Sequence, residues 1–166
     1  MYAENLVAYS EFGGDALRLS TRGRYGVKAM FELAMNHGRG PIPLKEIADR
    51  QGLSEHYLEQ LVAPLRKAGL VKSVRGAHGG YMLNKDPASI SVGDIIRVLE
   101  GPIAPTDCVA EDRDAVEHCG RAAGCMARSV WAKVRDSIAE VVDSITLADL
   151  CEEARQSGDK NYMYYI

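Results

Sequence analysis

Three cysteines lie close together in one polar, glycine-containing segment of the chain. Cys108, Cys119 and Cys125 are separated by ten and five residues, and the remaining cysteine, Cys151, follows more than 20 residues later. Thiolates are the preferred ligands of the iron in iron–sulfur clusters, and they also bind zinc. The three cysteines therefore predict a metal site, for which His118 is the nearest candidate nitrogen ligand.

The spacing of these cysteines leaves three kinds of site open. An iron–sulfur cluster and a closed zinc site with three cysteines and one histidine need the same set of ligands. Thiols without a metal would instead carry redox chemistry. The absence of a tight CxxC pair makes a structural zinc knuckle less attractive. Cys151 follows an apolar helical pattern, and we interpret it as a packing residue.

A basic, glycine-rich loop occupies residues 75–80, between two short apolar runs at 70–74 and 81–83 that are predicted to form strands. Glycines let a backbone approach a sugar–phosphate chain closely, and an arginine at such a tip can enter a minor groove. We therefore predict that Arg75 contacts DNA. The alternative is an ordinary surface hairpin with an exposed arginine.

Three helices are predicted before this hairpin. Apolar residues recur at helical spacing over 25–34, 44–48 and 58–65, and Ser54 is a suitable N-cap for the third helix. Two short helices joined by a turn with a glycine are typical of a helix-turn-helix, whose second helix can enter a DNA major groove. Together with the hairpin, these helices predict a winged helix-turn-helix.

The last part of the chain carries an apolar seam. Its members recur every three or four residues, at Val130, Val134, Ile138, Val141 and Ile145. This near-heptad pattern predicts one long helix with an apolar face that needs a partner. A second copy of the chain is the predicted partner, because a two-fold dimer would double the contacts to a palindromic DNA site. Packing against the winged part is the alternative.

Charge is divided unevenly along the 166 residues, whose net charge is −3. Residues 17–85 hold 12 Lys/Arg against 5 Asp/Glu, whereas residues 86–166 hold 8 against 15. A basic half suggests a polyanionic partner such as DNA. No apolar run reaches the roughly 18 residues that span a bilayer, and no secretion signal begins the chain, so we expect a cytoplasmic protein without a membrane partner.

The sequence does not predict an enzyme, because no acid, base or nucleophile constellation accompanies the cysteines. A small redox or cluster-carrier protein is the alternative class, but it leaves the basic hairpin unexplained. The predicted fold is mainly α with a small β-wing. We divide the chain into a leader or tail (1–16), a winged helix-turn-helix domain (17–102), a cysteine loop (103–125), a dimerisation helix (126–150) and a C-terminal tail (151–166).

Three long segments carry a resemblance to a known family. They read RLSTRGRYGVKAM (18–30), LSEHYLEQLVAPLRKAGLVKSVRGAHGGYML (53–83) and SVGDIIRVLEGPI (91–103). They closely resemble the IscR/CymR-type family of dimeric winged-helix transcriptional regulators, and the similarity covers nearly everything after residue 16. The resemblance implies a homodimeric repressor whose long C-terminal helices cross and which binds double-stranded, palindromic promoter DNA.

The resemblance also implies where DNA would be contacted. By position, the recognition helix carries Ser54, His56, Tyr57 and Glu59, although Ser54 also suits the role of helix cap alone. Arg75 falls at the wing arginine that enters the minor groove in IscR-like members. These five residues are the predicted DNA-binding residues.

In the iron–sulfur branch of the family, three loop cysteines and a histidine three residues after the last of them hold a 2Fe-2S cluster. The resemblance thus implies that Cys108, Cys119 and Cys125 bind such a cluster. Arg128 stands where the histidine is expected, and a guanidinium is not a normal iron ligand. The candidates left for the fourth ligand are His118, a group of the second subunit, or one of the carboxylates Asp107, Asp112 and Glu117.

The other branch of the family lacks the loop cysteines but ends in a tail similar to YMYYI at 162–166. There the terminal isoleucine is thought to enter the active site of cysteine synthase, which suggests the same partner for Ile166. The predicted function is therefore a repressor of genes for iron–sulfur cluster biogenesis or sulfur metabolism that senses through a 2Fe-2S cluster. The alternative is a cluster-independent repressor of cysteine metabolism that acts with cysteine synthase.

Overall fold

The computed structural model describes residues 20–110 and 124–157. The elements of this part are α1 (Thr21–Met35), α2 (Leu44–Gln51), α3 (Glu55–Lys67), β1 (Val71–Val74), β2 (Gly80–Leu83), α4 (Val92–Glu100), α5 (Met126–Ser144) and α6 (Leu147–Gln156), with short 3-10 turns at Pro87–Ser89 and Asp107–Val109. The predicted class, mainly α with a small β-wing, is confirmed. Among the described residues, no helix combines the length and the apolar character that crossing a bilayer requires.

The turn between α2 and α3 is set by two residues at its ends. Gly52 ends α2 in the left-handed conformation, with a φ of 63°, which a residue without a Cβ adopts at little cost. Ser54 begins α3, and its hydroxyl accepts a hydrogen bond from the backbone N–H of Tyr57 at 3.2 Å. The predicted cap is therefore confirmed, and it fixes the direction in which α3 leaves the turn.

The core of the winged part is apolar, with one buried carboxylate at its edge. Met30, Ile47, Leu58 and Leu65 from the first three helices are all fully buried. Glu32 on α1 is also buried, and its carboxylate accepts hydrogen bonds from Arg50 at 3.1 Å and from Gln51 at 3.2 Å. Because a buried carboxylate is tolerated only when it is paired, these bonds tie the end of α2 to α1.

The β-hairpin is joined to the helices by a single-residue β-bridge to the segment between α1 and α2. β1 and β2 are antiparallel, with Val71 opposite Leu83 and Val74 opposite Gly80. Ile42, between α1 and α2, forms a two-way bridge with Tyr81, with N–O distances of 2.9 and 2.8 Å. A Cβ on Gly80 would overlap the carbonyl of Ile42, so the hairpin can lie this close only with glycine there.

Helix α4 packs against both α1 and α5 at glycine positions. Gly23 and Gly26 of α1 face Glu100 and Leu99 of α4, and a Cβ at either glycine would overlap those side chains. Gly93 of α4 in turn lies against the carboxylate of Asp143 of α5. The helices therefore approach each other through positions that have no side chain.

An ion pair closes the contact between α4 and α5. The two guanidinium nitrogens of Arg97 donate to the two carboxylate oxygens of Asp143 at 2.5 and 2.8 Å. This bond lowers the pKa of the Asp143 carboxyl from its ordinary value. The bidentate geometry orients α5 relative to the winged part.

The structure corrects the prediction of one continuous helix from 126 to 150. α5 ends at Ser144, and Ile145, the last member of the predicted seam, has an extended backbone. The Ile145 carbonyl accepts a hydrogen bond from the backbone N–H of Val92, and the N–H of Leu147 donates to Ile90. The chain after α5 therefore forms a short β-bridge with the residues at the start of α4. The 3.5-residue periodicity of the apolar seam did not reveal this break.

The residues after this break form a separate helix that belongs to the core. Thr146 and Asp149 make a capping box that begins α6. Leu147 and Cys151 are buried against the winged part, which confirms the interpretation of Cys151 as a packing residue. Burial raises the pKa of its thiol, so Cys151 is held in the neutral, unreactive form.

Substitution of Gly80 by alanine should destabilise the protein. The added methyl group meets backbone atoms of Ile42 and Pro43, which cannot rotate away as a side chain would, so we expect a loss of about 1–3 kcal/mol in the free energy of unfolding, as in other overpacked sites. Urea unfolding followed by circular dichroism measures it. Gly124→Ala is the matched control, because a Cβ there meets no atom within 4 Å. Equal midpoints for the two variants would contradict the prediction.

Candidate nucleic-acid interface and cysteine segment

Helix α3 has one buried face and one exposed face. Leu58, Leu61, Val62 and Leu65 are buried, whereas the side chains of His56 and Glu59 are 80% and 58% exposed. The Gln60 side-chain nitrogen lies 3.0 Å from His56 Nε2, and Glu59 Oε2 lies 3.9 Å from His56 Nδ1. The predicted contact residues Ser54, His56 and Glu59 are thus all at the surface.

Tyr57 differs from these three residues. It is half-buried, and its ring packs edge-on against Tyr25 of α1, with 6.2 Å between ring centroids and an interplanar angle of 90°. The Lys28 ammonium lies 5.6 Å from the centroid of the Tyr25 ring. This arrangement connects the first turn of α3 to α1, so Tyr57 positions the recognition helix in addition to its predicted role as a DNA contact.

The hairpin follows α3 almost directly. Gly69 turns the chain with a φ of 75°, and the N–H of Leu70 donates to the carbonyl of Leu65 at 3.0 Å. Asn84, just after β2, donates through its side chain to the carbonyl of Gly69 at 3.1 Å. These bonds fix the base of the wing to the C-terminal end of α3.

Arg75 lies at the exposed tip of this wing. Gly76 has a φ of 120°, and the N–H of Gly79 donates to the Gly76 carbonyl at 2.9 Å. A Cβ on Gly79 would overlap the carbonyl of Val74. The tight turn thus needs its glycines, and Arg75 and Lys72 are both exposed on this hairpin.

Two of the three loop cysteines lie within the described residues, and both are free thiols. Cys108 is half-buried in the 3-10 turn Asp107–Val109, and its Sγ lies 3.3 Å from the Thr106 hydroxyl. Cys125 is exposed and occupies the N-cap position of α5.

Two arginines of α5 bind the segment that carries Cys108. Arg128 Nε donates to the carbonyl of Cys108 at 3.1 Å, and an Arg135 guanidinium nitrogen donates to the carbonyl of Val109 at 2.8 Å. Sequence reasoning treated Arg128 only as a missing ligand and overlooked Arg135; their spacing of seven residues, which places them on one helix face, was the available signal.

The other predicted ligands lie outside the described residues. These are Cys119, His118, Asp112 and Glu117, and the same holds for residues 1–16 and for Ile166. Asp107 is described and is exposed next to Cys108. Within residues 20–110 and 124–157, no group of three or more metal-ligating side chains comes together. The described part therefore contributes two thiols to the predicted site, and its donor chemistry fits a metal that prefers sulfur.

Known proteins similar to this chain share its winged helix-turn-helix followed by a long helix. The model of the Rrf2 family, described as an iron-dependent transcriptional regulator, matches residues 19–153. The chain belongs to the Rrf2 family of transcriptional regulators. The predicted family is thus confirmed, and its role is transcriptional regulation rather than enzymatic catalysis.

Relatives within the Rrf2 family come from both predicted branches. The transcriptional regulator CymR of Bacillus subtilis is 51% identical over 150 residues, which cover 90% of this chain and 100% of that protein. The transcriptional regulator IscR of Escherichia coli is 41% identical over 134 residues, covering 81% of this chain and 80% of that protein. The solved structure of T. potens IscR has a TM-score of 0.70 and 54% identity, over 90% of this chain and 98% of that one.

Replacing Arg75 by alanine should weaken DNA binding without changing the fold. Loss of a minor-groove or phosphate contact at the wing tip should cost about 1–3 kcal/mol of binding free energy. Fluorescence anisotropy measures this on a duplex selected from a random pool with the unchanged protein. Lys133→Ala removes one positive charge from an exposed position of α5 and serves as the control. Equal affinities of the two variants would show that Arg75 makes no such contact.

Proposed function

We propose that this Rrf2 protein is a homodimeric repressor that binds palindromic, double-stranded promoter DNA. The observation that carries the proposal is the exposed polar face of α3 next to a basic wing whose base is hydrogen-bonded to the end of that helix. In this reading α3 enters the major groove with Ser54, His56 and Glu59, Tyr57 supports its first turn, and Arg75 enters the adjacent minor groove.

The homodimer is proposed to form through α5. No residue of this helix is buried, although its apolar residues Val130, Trp131 and Val141 are 53%, 39% and 57% exposed. An apolar stripe at helical spacing is costly in water and is usually covered by a partner. A second α5, related by a two-fold axis, would cover it and would place two recognition helices on one palindromic site.

We further propose that the dimer senses the supply of iron–sulfur clusters. Cys108, Cys119 and Cys125 would hold a 2Fe-2S cluster, with His118 as the fourth ligand. When bound, the cluster would make the protein sensitive to redox state, and its presence would report that clusters are available in the cell. Support comes from the two described thiols, Cys108 in the turn bound by α5 and Cys125 at the N-cap of α5, and from the similarity to IscR. The regulated genes would be those of iron–sulfur cluster biogenesis or sulfur metabolism.

A physical path connects the cysteine segment with the DNA-binding surface. Arg128 and Arg135 hold the Cys108 segment on α5, Arg97 and Asp143 join α5 to α4, and α4 packs on α1. A ligand in the loop changes DNA binding only if it favours one arrangement of these helices over another. The contacts above are where such a preference would act.

Anaerobic purification tests the cluster proposal directly. We expect a brown protein with about two irons and two sulfides per chain, the content of a 2Fe-2S centre, and light scattering should give the mass of a dimer. Cys119→Ala should abolish the colour, whereas Cys151→Ala, which removes a thiol packed in the core, is the control and should keep it. A colourless, iron-free parent protein that still binds palindromic DNA would overturn cluster sensing and leave the repressor intact.

The second candidate is a cluster-independent repressor of cysteine metabolism that acts with cysteine synthase. It is favoured by the 51% identity to CymR over the whole length of that protein and by the terminal sequence YMYYI. A chain end can be captured through its carboxylate and its last side chain. Ile166 would fill this role by imitating the amino-acid ligand of the enzyme.

Deletion of residues 163–166 tests this second candidate. We expect the truncated protein to lose affinity for cysteine synthase in a calorimetric titration by about tenfold or more, because the captured carboxylate and side chain are both removed. Its affinity for the selected DNA duplex should be unchanged. An unaltered titration with the truncated protein would exclude the tail as the contact.

A further inference from the structure

The segment that carries Cys108 is docked on α5 by contacts that involve no thiol and no metal. Two guanidinium groups, Arg128 and Arg135, donate to two successive carbonyls, at 3.1 Å and 2.8 Å. Val109, which follows Cys108 in the same turn, is only 2% exposed, so burial also holds this turn in place. Hydrogen bonds from charged donors are stronger than neutral ones, particularly where they are partly shielded from water.

We propose that Arg128 and Arg135 form a clamp, and that Arg128 is a positioning residue that holds Cys108 beside α5 in the metal-free protein. The clamp grips the backbone, so it works whatever the chemical state of the thiol. It leaves the Cys108 Sγ free of both arginines and beside the Thr106 hydroxyl, 3.3 Å away. Cys108 is thus already in place before any ligand arrives.

The clamp explains why an arginine is useful at position 128. Arg128 lies on the first turn of α5, three residues after Cys125, and its guanidinium reaches the Cys108 carbonyl. Arg135 follows two turns later on the same face. Each arginine therefore crosses from the helix to the turn, and neither is needed for the apolar stripe proposed to form the dimer.

Alkylation of the metal-free protein tests the clamp. The protein is purified with a chelator, treated with iodoacetamide, and digested so that mass spectrometry follows each cysteine separately. In Arg128→Gln, loss of a charge-assisted hydrogen bond should open the turn and raise the rate at Cys108 by about five- to tenfold.

The controls separate local release from general unfolding. Lys133→Gln removes a positive charge from an exposed site on the same helix and should leave all rates unchanged. Cys125, which is exposed in the unmodified protein, and Cys151, which is buried, should keep their own rates in every variant. Arg135→Gln, which removes the bond to Val109, is the second test variant and should also accelerate Cys108.

Acceleration of Cys108 alone in either arginine variant supports the clamp. The proposal is overturned if Cys108 reacts in both variants at the rate seen with Lys133→Gln. It is also overturned if Cys108, Cys125 and Cys151 accelerate together in both, since that pattern reports loss of the whole fold. Because no metal takes part, the result is independent of whether the cluster proposed above forms.

Discussion

The close approach of α4 to its two neighbours is the constraint on which the other contacts depend. Gly23 and Gly26 let α1 reach α4 from one side, and Gly93 lets α5 reach it from the other. A Cβ on Gly93 would overlap the carboxylate of Asp143 and crowd the guanidinium of Arg97, the two partners of the ion pair between α4 and α5. Helix α4 therefore lies between α1, which packs on the proposed recognition helix α3, and α5, the proposed dimer helix.

In this arrangement the cysteine segment contacts the helix that is proposed to form the dimer. The Asp107–Val109 turn lies on α5 through Arg128 and Arg135, on the helix that also carries the exposed apolar stripe. A change in the position of that turn would shift α5, where two subunits are proposed to meet. Through α4 it would also change the spacing of the two proposed recognition helices. A regulator needs such a connection, because a ligand that leaves the helices unchanged cannot alter affinity for DNA.

The local elements of the winged part were predictable because their signals are local. Ser54 caps α3, Gly52 ends α2, and the glycines around Arg75 permit the wing turn, as the residue types indicated. Prediction failed at Ile145, where periodicity continued but the helix did not. The helix ends there because Val92 and Leu147 form backbone bonds across the chain, and a contact between residues so far apart leaves no trace in a periodic pattern.

The sequence by itself determined the winged helix-turn-helix, the cysteine spacing, the apolar seam and the resemblance that leads to the Rrf2 family. Each of these depends on residue types at short separations or on long similar segments. Only the tertiary structure decided that Tyr57 packs on Tyr25, that α6 joins the core, and that Arg128 binds the backbone of Cys108. The physical reason is that these contacts join residues from separate elements, whose meeting is fixed by how the helices pack rather than by the chemistry of neighbouring residues.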